Sequence, residues 1–176
     1  TRGALEANLG LRKKQARQWV LLAVACHDIG KACPGFQTKH ANPPTTGLSM
    51  PRVPDTNIHH GYVSQIALAE WLRREKNCPE PFACLIADAV GCHHGERAKP
   101  LVLERLSGNR RALGDIHWTH ARNALISAAF NVFNAAAPVA AVTKQILSGP
   151  EFMLLAGLTS FSDWLGSDEK RFCYGT

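Results

Sequence analysis

Apolar residues recur at helical spacing from about Arg12 to Ile29, with Ala16, Trp19, Val20, Ala23 and Val24 on one face. The pattern predicts a buried helix that ends at His27-Asp28, with Gly30 as a natural stop. A second helix is predicted from about Gly61 to Lys76, its apolar face carrying Val63, Ile66, Ala67, Trp71 and Leu72, with His59 and His60 at its entrance. Three more Ala- and Leu-rich helices follow, roughly Pro81 to His94, Trp118 to Ala135 and Glu151 to Gly166. Between the first two helices, the stretch from Pro34 to Asn57 holds Pro34, Pro43, Pro44, Pro51 and Pro54 with Gly47, which breaks helices and strands alike and predicts a long loop. A loop of that length inside a compact domain is usually functional or mobile. The charged, glycine-punctuated run from Glu96 to Asp115 reads as an irregular connection beside His93-His94. No alternating strand pattern competes and no internal repeat or low-complexity tract is present, so the expected fold is an all-α bundle in one domain over residues 1–176.

Composition narrows the class. With 45% hydrophobic and 19% charged residues the chain is globular and fits neither a disordered segment nor a coiled coil. The formal charge of +6 favours polyanions through long-range attraction and counterion release, which is compatible with nucleic acid. The basic groups Arg12-Lys13-Lys14, Arg73-Arg74, Arg97 with Lys99, and Arg110-Arg111 each read singly as solvated helix faces. Six cysteines (Cys26, Cys33, Cys78, Cys84, Cys92 and Cys173) form no CxxC pair or zinc-ribbon spacing and follow no signal-peptide pattern, so reduced thiols in a cytoplasm are the simplest reading. No apolar run is long enough to cross a bilayer, so no membrane is expected. The chain begins with Thr1 rather than Met, from which the natural protein is expected to extend further upstream.

The residues that carry chemistry are His27-Asp28 in ACHDIGK, His60 in HHGYVSQ, His93-His94 in GCHHG and Asp163 in SDWLGS, on four separate segments. Imidazole and carboxylate are natural ligands for borderline divalent metals, and a helical bundle can aim them inward from several helices at one point. Adjacent residues on a helix diverge by about a quarter turn, so His27 and Asp28 can serve two ions only if Asp28 bridges. Two ions about 3.5–4 Å apart can activate water on one side of a phosphodiester and stabilise the departing oxygen on the other. Lys31, one turn later, is either a cation for the non-bridging oxygens of a phosphate or a helix-terminal lysine favoured by the dipole, and the sequence leaves the two even. Singly, His59, His60 and the His93-His94 pair read as polar helix ends; their joint occurrence, with small residues beside them, points to a metal site. Asp163 stands on an otherwise apolar helix, where metal ligation would remove the several kcal/mol, by order of magnitude, that an unpaired buried carboxylate costs.

His117 and His120 are spaced to bind metal but read as surface residues, and His40 in the Pro-rich loop reads as non-catalytic. Cys26 and Cys92 read as packing residues. Trp19, Trp71 and Trp164 fall on apolar faces and read as core.

The order HDIGKxxxxFQ (His27 through Gln37), HHGxxS (His59 through Ser64), GxHHG (Gly91 through Gly95) and LLAGLxSxSDWLGS (Leu154 through Ser167) resembles the HD nuclease domain of the type I CRISPR helicase-nuclease over nearly the whole chain. The resemblance implies an all-α HD bundle with two divalent ions (Mn, Ni, Fe, Co or Mg) that cuts single-stranded DNA opened by a guide-RNA surveillance complex, with a helicase domain in cis or in trans. It implies that Asp28 bridges, that His27 and Asp163 hold one ion and His60, His93 and His94 the other, and that Lys31 faces the scissile phosphate. The family pattern carries a further histidine upstream of the HD pair, and none precedes His27. Either the chain as given starts after that helix, as the non-Met start favours, or the first site is incomplete. Asp168 to Thr176 reads as the start of a connection. Two alternatives remain open: an HD phosphohydrolase for nucleotides or cyclic nucleotides, which a closed pocket would favour, and a non-cutting HD module that binds protein or nucleic acid.

Overall fold

The computed structural model describes residues 13–39, 47–136 and 149–168. Arg12, His40, Pro43, Pro44 and Cys173 lie outside the described residues, as does most of the connection expected after Asp168. The helices are α1 (Lys13–Cys26), α2 (Pro34–Gln37), α3 (His60–Lys76), α4 (Glu80–Gly91), α5 (Pro100–Ser107), α6 (Arg110–Leu113), α7 (Ile116–Phe133) and α8 (Pro150–Gly166), with a 3-10 turn at Ile29–Lys31. No strand occurs among the described residues, and no helix there is long and apolar enough to cross a membrane.

The apolar stripes meet where α3 and α4 lie side by side, with α1 and α8 packed on α4 and on each other, and α7 on α1 and α3. Trp19 and Leu22 of α1, Leu68 of α3, Phe82 of α4, Ile126 of α7 and Leu155 of α8 are buried in this one core. Trp19 meets Phe82 edge to face, with centroids 4.7 Å apart, the favoured arrangement for two aromatic rings. A smaller cluster of Cys33, Val63, Leu106 and Ala112 seats α2, α5 and α6 against α3.

Two expected helix ends and two expected loops differ for local reasons. The first helix stops at Cys26, short of His27-Asp28, because the His27 carbonyl accepts a hydrogen bond from Ser64 Oγ while Lys31 N–H bonds the Asp28 carbonyl in a 3-10 pattern. His93 and His94 also lie beyond their helix, in a turn closed by Gly95 N–H on the Cys92 carbonyl, with Gly95 at φ +86° where glycine is favoured. The long loop contains α2, started by Pro34 at its first position, and the connection expected at Glu96 to Asp115 holds α5 and α6. Asn109 and Asp115 accept from backbone N–H groups at the starts of α6 and α7, which supplies the caps these helices need.

One polar residue ties the two halves of the fold. Arg122, buried on α7, donates from Nη1 to the carbonyls of Ala32 (2.8 Å) and Leu113 (2.9 Å), and from Nη2 to Thr119 Oγ1 (3.2 Å). It thereby holds the chain just past the 3-10 turn against α7. Arg122→Ala strands two carbonyls and is expected to lower the unfolding free energy by about 3 kcal/mol in denaturant titration; a loss below about 1 kcal/mol would show that the bonds add little.

Candidate metal centre

Two helix ends, one helix start and one helix face converge at one side of the bundle. At the end of α1, His27 Nδ1 lies 2.6 Å from the Val24 carbonyl, so Nδ1 carries the proton and donates it. Nε2 then faces Asp28 Oδ2 at 3.4 Å and Asp163 Oδ1 at 3.3 Å. Asp163 reaches this point because it continues, one turn on, the face of α8 that buries Phe152, Leu155, Ala156 and Thr159. The Thr159 and Ser160 hydroxyls are satisfied by carbonyls of their own helix, and the Asp163 side chain is 13% exposed.

On the other side, His60 stands in the first turn of α3, and His93 and His94 in the turn after α4. His93 is buried with Nδ1 2.8 Å from the Val90 carbonyl, which fixes its tautomer as it does for His27. The Nε2 atoms of His93 and His94 lie 3.2 Å and 3.0 Å from His60 Nε2. Asp28 stands between the groups. Its Oδ1 lies 3.1 Å from His60 Nε2 and 3.9 Å from His93 Nε2, while Oδ2 faces His27 and accepts from Lys31 Nζ at 2.5 Å.

These donors form two groups, His60 with His93 and His94, and His27 with Asp28 and Asp163, each with its ligand atoms within 4.8 Å of one another. Their chemistry fits divalent cations. Burial pushes the His93 imidazole down to about 4, against a backbone hydrogen bond that raises it, so near neutral pH its Nε2 presents a lone pair. It converges with the Nε2 atoms of His60 and His94, and three imidazole nitrogens meeting at one point suit a cation. Burial opposes ionisation of Asp28, yet the nearby polar hydrogens of His27, His60 and Lys31 outweigh it and hold the carboxyl well below its usual range. Its Oδ1 is buried and makes no hydrogen bond of acceptable geometry, although His60 Nε2 is near. For His27 burial lowers the value, and hydrogen bonds to Asp28 and Val24 with the charges of Asp28 and Asp163 raise it above the ordinary one. A positive charge is therefore favoured where His27 Nε2 meets the two carboxylates.

The remaining candidates fall elsewhere or serve other ends. Lys31 is tied to Asp28 in an i, i+3 ion pair, with its side chain 38% exposed. His59 caps the start of α3 by position and stacks on Tyr62, with ring centroids 4.5 Å apart. His117 and His120 are exposed on α7 and belong to neither group. Cys26 and Cys92 are buried free thiols, pushed up to about 12 and about 11 by burial, as packing residues should be. Trp19 and Trp71 are core, but Trp164 is 75% exposed: it shares a face of α8 with Met153 and Phe161 that points away from the bundle. Arg97, read from the sequence as part of a solvated face, is paired with Asp88 at 2.5 Å, and Asp88 also accepts from Gln65. Sequence reasoning assigned no role to Ser64 or Arg122. The sequence signal for Arg122 is an arginine within an Ala-rich helix, and Ser64 lies within the HHGYVSQ motif.

A helical bundle that aims a His-Asp pair, three more histidines and a second aspartate at two adjacent points is an HD-type domain. The sequence matches the family described as "Cas3, HD domain" over residues 1–172. It is 33% identical over 182 aligned positions to the CRISPR-associated endonuclease/helicase Cas3 of Thermus thermophilus, with 99% of this chain and 19% of that protein covered. The crystal structure of the Thermus thermophilus Cas3 HD domain in the presence of Ni2+ superposes with a TM-score of 0.71 at 30% identity, covering 99% of this chain and 64% of that one. A crystal structure of a CRISPR-associated protein gives a TM-score of 0.83 at 27% identity, over 99% of this chain and 19% of that one. The chain belongs to the Cas3 HD domain family, a family of metal-dependent nucleases. It spans about a fifth of the length of the curated relative.

In metal-free protein, nitrogen-15 NMR of the imidazoles is expected to show His93 protonated on Nδ1, titrating near 4 rather than near 6.5. Titration near 6.5 would mean that the ring is hydrated and not packed between α3 and α4.

Proposed function

We propose that the chain hydrolyses phosphodiester bonds of single-stranded DNA with divalent metal ions, as the nuclease step of CRISPR interference. The observation that carries this reading is the two-way orientation of Asp28, whose oxygens face different ligand groups. In it, His27, Asp28 and Asp163 would hold one ion, and His60, His93 and His94 would hold the second with Asp28 beside both. A bound pair of divalent ions supplies an activated water and positive charge for the departing oxygen. The chain's own part is to fix the ligands. The Val24 and Val90 carbonyls set the tautomers of His27 and His93, and Lys31 places an ammonium at the exposed edge of the site, where it can meet a non-bridging phosphate oxygen. Four imidazoles and two carboxylates suit Mn, Fe, Co or Ni better than Mg, which favours all-oxygen sites.

The opening of the site favours a polymer over a free nucleotide. Asp28 is 32% exposed at its side chain, and His94 is exposed. Cavities of about 550 and 850 Å³, beside α7 and between α3 and α5, are lined by none of the six ligand residues. A nucleotide hydrolase needs an enclosed pocket around its metals, whereas a strand can lie across an open one. The formal +6 charge supports a polyanionic substrate. The curated relative is an endonuclease/helicase by name, and on that likeness we assign this chain a helicase domain in cis or in trans, a surveillance complex as delivery partner, and a cytoplasmic setting.

With Mn2+ or Ni2+, the chain is expected to nick circular single-stranded DNA, and Asp28→Ala to slow that by on the order of 100-fold or more, because it removes a ligand from both groups. Equal cutting by the two proteins would assign the activity to a contaminant and sink the proposal.

A further inference from the structure

We infer that Ser64 is a positioning residue that sets the spacing between the two ligand groups, an inference that rests on the two-ion reading above. Its side chain touches no ligand atom. It is fully buried on α3, one turn after His60, and its hydroxyl makes two bonds to the segment that carries Asp28. Gly30 N–H donates to Ser64 Oγ at 2.7 Å, and Ser64 O–H donates to the His27 carbonyl at 2.6 Å. The two backbone groups flank Asp28, so one hydroxyl pins the turn at both ends. Neither group has a partner within a helix: α1 ends at Cys26, and the turn that follows is bonded in the 3-10 pattern.

Gly30 makes the clamp possible. A Cβ there would drive into the His60 carbonyl and crowd Ser64 N and Oγ, so only glycine lets the turn press this close to the first turn of α3. His60 and Asp28 therefore sit on two backbone segments in direct contact, joined through one side chain. The distance between the His27 group and the His60 group depends on that joint, because Asp28 has to address both. Arg122 holds the same segment from the far side, through Ala32, but acts on the chain beyond the turn and leaves the His27 carbonyl to Ser64 alone.

Without the hydroxyl, each group keeps its own ligands, while the relative placement of the groups loosens. Ser64→Ala should therefore separate ion binding from ion pairing. With Mn2+ as the probe, electron paramagnetic resonance of the wild-type chain is expected to show a spin-coupled pair at two equivalents. Ser64→Ala is expected to give mainly isolated-ion signals, with the weaker of the two affinities reduced about 10–100-fold, the range for losing a group that orients ligands. At saturating Mn2+, kcat on single-stranded DNA should fall by a similar factor while KM changes less than about twofold. Ser64→Thr keeps the hydroxyl and should retain the coupled signal. Ser64→Cys, close in volume but a weak donor and acceptor, should show the same loss in smaller measure, and it replaces the alanine variant if that chain does not fold by circular dichroism. A wild-type-like coupled signal and kcat in the folded alanine or cysteine variant would overturn the role of Ser64 and leave the two-ion reading standing. Isolated ions in the wild-type chain would overturn both.

Discussion

The Asp28 carboxylate sits between His27 on one side and the His60, His93 and His94 cluster on the other, and a carboxylate can address both only if its plane is held between them. Little in the Asp28 backbone would ensure this. At φ −98° and ψ 3° it lies outside the α-helix, in the sparsely allowed bridge region often occupied by active-site residues. The orientation comes from outside the residue: from the turn pinned on α3, from Lys31 on one oxygen, and from His27 and His60 on opposite sides. Each of these neighbours is fixed in turn by a backbone carbonyl or by its place at a helix end. The site is thus built mostly from helix termini, where unspent backbone groups are available to orient side chains.

That arrangement explains the division of labour in the fold. The aromatic and aliphatic core between α1, α3, α4 and α8 contains none of the six candidate ligands, yet it fixes how the helices that lead to them pack. A close-packed core has low compressibility, which favours fixed separations between the ends of α1 and α4 and the start of α3. The candidate site lies at the margin of this packed core, not inside it. The margin is also where a long polymer could reach.

The helices were legible because their stripes are long: Ala16, Trp19 and Ala23 on α1, and Val63, Ala67, Trp71 on α3, are buried as their spacing requires. The family was legible from four short motifs, because each keeps its order and spacing along the chain. What the sequence did not disclose was competition for hydrogen bonds. Nothing in the periodicity of α1 says that the His27 carbonyl will take a serine hydroxyl from a residue 37 positions away and end the helix early. The short helices α2, α5 and α6 were hidden for a related reason: prolines and caps that read as breakers also start helices. Trp164 was misread because an apolar stripe gives a face without saying what covers it; the stripe on α8 is wider than the bundle can bury, and Met153, Phe161 and Trp164 lie on the part left over.

Charge balance at the centre links the ligand set to the substrate class. Asp28 and Asp163 contribute two negative charges, and in the structure these are answered by Lys31 and by the positive character favoured at His27. In the proposed two-ion state, four positive charges from the ions would exceed what two carboxylates neutralise, and the histidines would add none. Lys31 would then lose much of its attraction to Asp28, since the same oxygens would be shared with the ions. An exposed ammonium beside a net positive centre is a place for an anion to dock. A phosphodiester brings a single charge and two non-bridging oxygens, and a strand brings a series of them past the opening. The same excess of charge that would free Lys31 would also favour a substrate made of many phosphates over a neutral one.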